Sequence, residues 1–325
     1  MNIYPWQEQQ WQQLVHTRQA RRLPHALLMQ GPAGTGKNDF ARGLAQALLC
    51  EHTDSRGYPC GQCKGCRLFA SETHPDYIEI IPEEEGKAIK VDQIRGLIDA
   101  LCLSPHFGGY RVILVSPADS MNTAAANSLL KTLEEPQANT LLILITAQAS
   151  ALAATIRSRC QGLRFNLPDA VAAKAWLQQQ VDAPAETERL LAMACGAPLL
   201  ARQLHSDGLL VQHAQLFADF VGLSEGKVDP IALAAKWDKS QNHRVVQWLY
   251  HWVSDMVRIK SKADQHLYNQ DLRRDLQSLS EKIDMQGLYR FLDKIAEALR
   301  LQKTAVNKRL VLEGLLLTGA YLKQS

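Results

Sequence analysis

Neither sign of charge dominates this sequence: 36 Lys and Arg stand against 33 Asp and Glu, a formal net charge of +3. That balance excludes a uniformly basic surface made for nucleic acid and leaves room only for a local one. No apolar run approaches the roughly 18 residues that cross a membrane as a helix. The first residues, Met1-Asn2-Ile3-Tyr4-Pro5-Trp6-Gln7-Glu8, lack the basic start and apolar core of a secretory leader, so a cytoplasmic protein is expected. Internal repeats and low-complexity segments are missing too. Cysteine is sparse, seven in 325 residues, and four of the seven crowd between positions 50 and 66. Such crowding reads as metal ligation in a reducing cytosol rather than disulfide bonding. What the chain does have is 46% hydrophobic residues, enough to bury real cores, and a length that suits two or three domains.

Over residues 1–165 short apolar runs alternate with helical segments, the pattern of a parallel sheet wrapped by helices. The expected strands are Ala26–Met29, Asp76–Ile81, Arg111–Val115 and Thr140–Thr146; none alternates strictly, as befits strands buried on both faces. Helices are expected at Asp39–Leu49, Val91–Leu101, Asn122–Leu133 and Ala151–Arg159, with Asn122 or Thr123 capping the third and Pro136 stopping it. Pro168-Asp169 opens a smaller helical region, Ala170–Gln180 and Thr187–Cys195, closed by Gly196-Ala197-Pro198. From about 208 onward strand patterns vanish. Trp248, Trp252, Met256 and Ile259, then Leu288, Phe291, Leu292, Ile295 and Leu299, recur at helical spacing and predict a helical bundle. Glu83-Glu84-Glu85-Gly86 reads as a solvated turn.

Gly31-Pro32-Ala33-Gly34-Thr35-Gly36-Lys37-Asn38 lies between the first strand and the first helix, the setting of a phosphate-binding loop, G-x-x-x-x-G-K-[ST]. Glycines at Gly31, Gly34 and Gly36 let backbone N–H groups wrap phosphates, and Lys37 adds a point charge. Two parts of the machinery are missing. The Mg²⁺-holding Ser or Thr is replaced by Asn38, and the strand Val112–Val115 runs into Ser116-Pro117 instead of acids. Asp119 comes three residues too late and beyond Pro117. The residues therefore predict a loop able to hold ATP or ADP without hydrolysing it, or one that only keeps an inherited turn.

Cys60-Gly-Gln-Cys63-Lys-Gly-Cys66 presents two consecutive C-x₂-C spacings, with Cys50 upstream at a helix end. Four thiolates can close a tetrahedral structural Zn²⁺ site and leave no open position for catalysis. Gly61 and Gly65 relax the backbone between the sulfurs. Bacterial ferredoxin spacing would need a further Cys where Ala70 stands. Cys102, Cys160 and Cys195 are scattered and read as small buried hydrophobes.

These landmarks, followed in order by His74-Pro75-Asp76-Tyr77, by Asn127-Ser128-Leu129-Leu130-Lys131-Thr132-Leu133-Glu134-Glu135-Pro136 and by Ser158-Arg159-Cys160, resemble a clamp-loader subunit of the bacterial DNA polymerase III complex, in the AAA+ ATPase family. The resemblance is strong to about residue 205 and weak beyond. It implies an α/β AAA+ P-loop domain over 1–165 with an inserted zinc module at about 50–66, a small helical lid domain over 166–207, and a C-terminal helical collar over 208–325. It also implies partners: gamma/tau ATPase subunits and a delta subunit in a hetero-pentamer, with the sliding clamp and primer–template DNA met through the complex. Ser116-Pro117, Asn38, and Leu199 where an ATP-sensing Arg is expected, set this chain with the family's non-hydrolysing members. In that family the arginine of the Ser-Arg-Cys triplet, here Arg159, acts as a finger on a neighbour's ATP; the residues alone would read Arg159 as complementing a helix dipole. Two other functions stay in view: an autonomous ATPase of the gamma/tau type, and a zinc-module DNA binder. The latter would use basic clusters such as Arg18, Arg21, Arg22 and Arg258, Lys260, Lys262, which read more simply as solvated helix faces; the loop Phe107–Tyr110 reads as a plain connecting turn, with DNA contact through the complex as its alternative.

Overall fold

The computed structural model describes residues 3–84, 86–101, 104–239, 244–265, 267–302 and 306–322; Glu85 and Cys102 lie outside these. The chain forms two compact units, Met1–Ala172 and Ala173–Ser325.

The first unit is built on five parallel strands, β1 (Ala26–Gln30), β2 (Tyr77–Ile80), β3 (Arg111–Val115), β4 (Thr140–Thr146) and β5 (Gln161–Arg164), in the order β2-β3-β4-β1-β5. Its helices are α1 (Glu8–Gln19), α2 (Lys37–Leu49), α3 (Lys64–Ala70), α4 (Val91–Leu101), α5 (Thr123–Glu134) and α6 (Ala154–Arg157). Side chains alternate across a strand, so each apolar run feeds two cores. Leu27, Met29, Val112, Leu114, Leu141 and Ile143 meet Trp11, Leu14, Phe40 and Leu44 of α1 and α2 on one face. Leu28, Ile113, Val115, Leu142 and Leu144 meet Ile94, Leu97, Leu129, Leu133 and Ile156 on the other. Each such side chain contributes about 1.5–3 kcal/mol by leaving water, which is why these strands need apolar residues at every position.

The expected strands β1 to β4 are present, as are α2, α4 and α5, and Asn122 is the cap of α5, accepting from Ala125 N at 2.8 Å. Three elements were not anticipated. β5 is a mostly exposed edge strand with one buried residue, Leu163, so its sequence carries little apolar signal. The polar helix α1 buries only Trp11 and Leu14, and α3 is seven residues long. The helix expected over Ala151–Arg159 is shorter: only Ala154–Arg157 is α-helical.

Among the described residues the second unit has helices and no strand: α7 (Ala170–Gln178) leads into it, followed by α8 (Thr187–Met193), α9 (Pro198–Ser206), α10 (Leu209–Ser224), α11 (Pro230–Lys239), α12 (Val245–Lys260), α13 (Arg273–Glu281), α14 (Met285–Leu301) and α15 (Lys308–Ala320). One apolar core links them, with Leu177, Leu190, Phe220, Trp237, Trp252, Phe291 and Leu316 among its members. Trp248, Trp252 and Met256 of α12, and Leu288, Phe291 and Ile295 of α14, are buried as their spacing requires.

Candidate functional site

Every strand of the sheet runs the same way, so the residues singled out in the sequence sort to the two ends of the strands. The phosphate loop leaves the C-terminal end of β1 and enters α2. Gly34 and Gly36 adopt left-handed φ values of 75° and 86°, and Gly31 a φ of 152°. Gly31 has no substitute, because a Cβ there would lie 1.9 Å from the Phe165 carbonyl oxygen. Lys37 does not project freely: its Nζ donates to Gly31 O and Pro32 O, both at 2.7 Å. Burial pulls its ammonium down to about 8, while the Asp119 carboxylate pulls the other way.

The two positions lacking their expected Mg²⁺ ligands face each other. Ser116 Oγ donates to Asn38 Oδ1 at 2.9 Å, so each satisfies the other. Asp119, three residues too late for the Mg²⁺ role, nevertheless lies near the loop. The turn Ala118–Ser120 folds it back to the loop, where it accepts from Thr146 Oγ1 at 2.7 Å beside Lys37. A strap from the N-terminal segment was also missed: Trp6 Nε1 and Gln7 Nε2 donate to Thr35 O at 3.0 and 2.9 Å. Tyr4 donates from its hydroxyl to Asp39 Oδ2 at 2.6 Å and stacks on Trp6. The apposition of Tyr4-Pro5-Trp6-Gln7 with the loop crosses some thirty residues of chain, which no local pattern reports.

Cys50 caps the other end of α2, about 20 Å from Lys37 by helix rise. Its sulfur and those of Cys60, Cys63 and Cys66 lie within 4.8 Å of one another. The Cys50–Cys63 and Cys60–Cys66 separations are 3.8 and 4.0 Å, against edges of about 3.8 Å for a tetrahedron with Zn–S bonds of about 2.3 Å. Backbone N–H groups of Gln62 and Cys63 point at Cys60 Sγ and hold its thiol down to about 6. The donor set fits zinc. Gly61 takes the left-handed turn, whereas Gly65 serves close packing: a Cβ there would meet Leu49 O at 2.3 Å. The loop before β3 rests on this module, with Lys64 Nζ 5.1 Å above the Phe107 ring and the His74 ring beside it. Buried Asp76 accepts from His106 N and Phe107 N at 2.8 and 3.1 Å and faces Arg111.

Arg159 sits just past α6, before the N-terminal end of β5, and so at the end of the strands opposite the phosphate loop. Its Nη2 donates to Glu134 Oε1 at 2.6 Å and its Nη1 to Thr155 O at 3.0 Å. Ser158 Oγ shares Thr155 O, and Cys160, its thiol pushed up to about 11 by burial, packs on the core. Cys195, in a left-handed turn with Gly196, is exposed as a residue, unlike its sequence reading, although its sulfur lies 3.8 Å from His251 Nε2. Leu199 lies in the first turn of α9. Of the basic clusters, Lys260 donates to Ser280 O and Ile283 O, and Arg258 pairs with Asp255 over the Tyr268 ring. No helix among the described residues is long and apolar enough to cross a membrane.

A family model described as DNA polymerase III, delta subunit matches residues 6–169, and one described as DNA polymerase III, delta subunit, C terminal matches residues 208–319. A Pseudomonas aeruginosa protein named DNA polymerase III subunit delta' is 38% identical over 99% of this chain and 98% of its own. The Escherichia coli protein of that name is 32% identical over 98% of this chain and 95% of its own. Among solved structures, a DNA polymerase III gamma subunit-related protein from Thermotoga maritima aligns with a TM-score of 0.45 at 19% identity, covering 96% of this chain and 99% of that one. The chain belongs to the delta-prime subunit family of DNA polymerase III.

Proposed function

We propose that this chain is a non-hydrolysing subunit of the DNA polymerase III clamp loader, helping to place the sliding clamp on primed DNA in the cytoplasm. In this reading Arg159 is presented in trans to ATP held by a neighbouring gamma/tau subunit, and a delta subunit completes a five-part assembly. Residues 1–165 act as the AAA+ part, 166–207 as the lid and 208–325 as the collar.

The observation that carries the reading is the position of Arg159. Strands β1 and β5 pair in parallel from Leu27↔Gln161 to Gln30↔Arg164. The loop follows one end of that ladder and Arg159 precedes the other, with β5, about 13 Å of strand, between them. Arg159 is therefore separated from this chain's own phosphate loop by the length of that ladder. A planar guanidinium reaching a γ-phosphate offsets transition-state charge, worth roughly 10³–10⁵ in rate in the best cases. The mutual hydrogen bond of Asn38 and Ser116 supports the absence of hydrolysis, since it occupies the side chains from which Mg²⁺ would take its ligands. Cys50, Cys60, Cys63 and Cys66 would hold a structural zinc.

ATP turnover measured for this chain alone, for the gamma/tau subunit alone, and for both with the delta subunit tests the division of roles. The expected outcome is no turnover by this chain and a DNA-stimulated rate in the full mixture. That rate should fall about 10-fold or more with Arg159→Ala while assembly persists. An unchanged rate in a fully assembled complex removes the arginine from the mechanism.

A further inference from the structure

We infer that Glu134 is the positioning residue for Arg159: its carboxylate, with the Thr155 carbonyl, fixes the guanidinium so that its remaining N–H donors face outward to an incoming phosphate. The inference rests on the trans-arginine reading above.

A long arginine side chain samples many rotamers unless something holds it. Here two acceptors do so, Glu134 Oε1 at 2.6 Å on Nη2 and Thr155 O at 3.0 Å on Nη1. Both partners hang from buried anchors one residue away. Leu133, 3% exposed and next to Glu134, and Ile156, fully buried and next to Thr155, belong to the same core. Ser158 Oγ donates to that same Thr155 carbonyl at 3.1 Å and tightens the turn. Pro136 prevents α5 from continuing, so Glu134 is its last residue and stays level with Arg159.

The pair is open, with 35% of the Arg159 side chain and 51% of the Glu134 side chain exposed. An ion pair this exposed contributes little to folding, so stability is a poor account of such a well-anchored contact. The same openness leaves the outer edge of the guanidinium reachable. A guanidinium has five N–H donors, and the two inward bonds leave the others for a ligand. Phosphate oxygens accept such bonds bidentately, and prior orientation raises the rate without adding a contact to the reacting atoms.

The test uses the complete clamp-loader complex assembled with Glu134→Ala, Glu134→Gln, Arg159→Ala or the Glu134→Ala/Arg159→Ala double variant. DNA-stimulated ATP turnover is measured alongside co-elution and the melting temperature of each free subunit. Glu134→Ala is expected to lower kcat about 3- to 10-fold with KM for ATP and assembly unchanged. Glu134→Gln, whose amide oxygen can still accept from Nη2, should recover to within about twofold. The double variant should match Arg159→Ala, as expected for residues acting through one another. If Arg159→Ala slows turnover while Glu134→Ala matches or exceeds the unsubstituted rate, Glu134 does not position the arginine and only this inference falls. If Arg159→Ala itself leaves turnover unchanged, the trans-arginine reading fails and takes the inference with it.

Discussion

At the scale of single residues, the phosphate loop is a place where backbone geometry and side-chain titration meet. Gly31→Ala would force a methyl into the Phe165 carbonyl, 1.9 Å from the built Cβ position. The expected cost is about 2–4 kcal/mol, read as a lowered midpoint in denaturant unfolding. Lys37 gives a pH test with a definite sign. Its folded pKa, pulled by burial from 10.5 to about 8, lies below its unfolded value, so between those values the unfolded chain binds more protons. Stability therefore rises with pH across that window, and the cost of burying the ammonium is fully present below about 8. Lys37→Met should remove this slope from the difference in unfolding free energy between pH 8 and 10.5. The glycines, Lys37 and the missing ligands at Asn38 and Ser116 were legible in the sequence because the motif is contiguous or follows an apolar strand. Asp119 and the strap Tyr4-Pro5-Trp6-Gln7 were not: a turn and a tertiary contact bring them in, and neither leaves a periodic trace.

Between elements, the packing of α10 against α12 depends on uncharged histidine. Trp252 Nε1 donates to His213 Nε2 at 3.1 Å, a bond that needs an unprotonated ring nitrogen. Burial first, then the charges of Arg189 and His251, lower His213 to about 3, and burial followed by the Arg258 charge lowers His251 to about 4. Both folded values lie below the unfolded one of about 6.5. Stability from these sites is complete above about 6.5 and declines as pH falls toward 4. Tryptophan fluorescence should report it, with an acid transition that moves to lower pH in His213→Gln, whose side chain does not protonate. The same scale separates what patterning announces from what it conceals. β1, β3 and β4 were readable as short unbroken apolar runs, and α12 and α14 because their apolar residues recur at helical spacing. β5 and α1 present mostly polar faces to solvent, and α6 is a single turn whose neighbours mimic a longer helix.

For the molecule as a whole, α2 ties the phosphate loop at its N-terminus to the cysteine module at its C-terminus, and the module in turn supports the loop carrying Phe107. Purified without chelator, the chain should carry one zinc, and Cys63→Ser should abolish it. Metal removal should lower the melting temperature by about 5 °C or more. It should also release Phe107 from Lys64 and His74, so chymotrypsin cuts after Phe107 faster in the zinc-free protein. Cleavage at an unchanged rate would mean that the module does not support this loop. The four thiols were legible from spacing alone. Their role as a footing for a distant loop was not, because Lys64 and Phe107 are brought together only by the fold.

The hydrogen bond between Asn38 and Ser116 also has a consequence for substitution at either position. A carboxylate introduced by Ser116→Asp would meet the Asn38 amide, which can turn its NH₂ toward it and occupy it before any metal does. Asn38→Thr alone would restore a hydroxyl opposite a position that still lacks an acid. Neither single step completes the pair of a loop hydroxyl and a strand-end acid that holds Mg²⁺. The bond couples the two positions, so an Mg²⁺ site here would take both changes together.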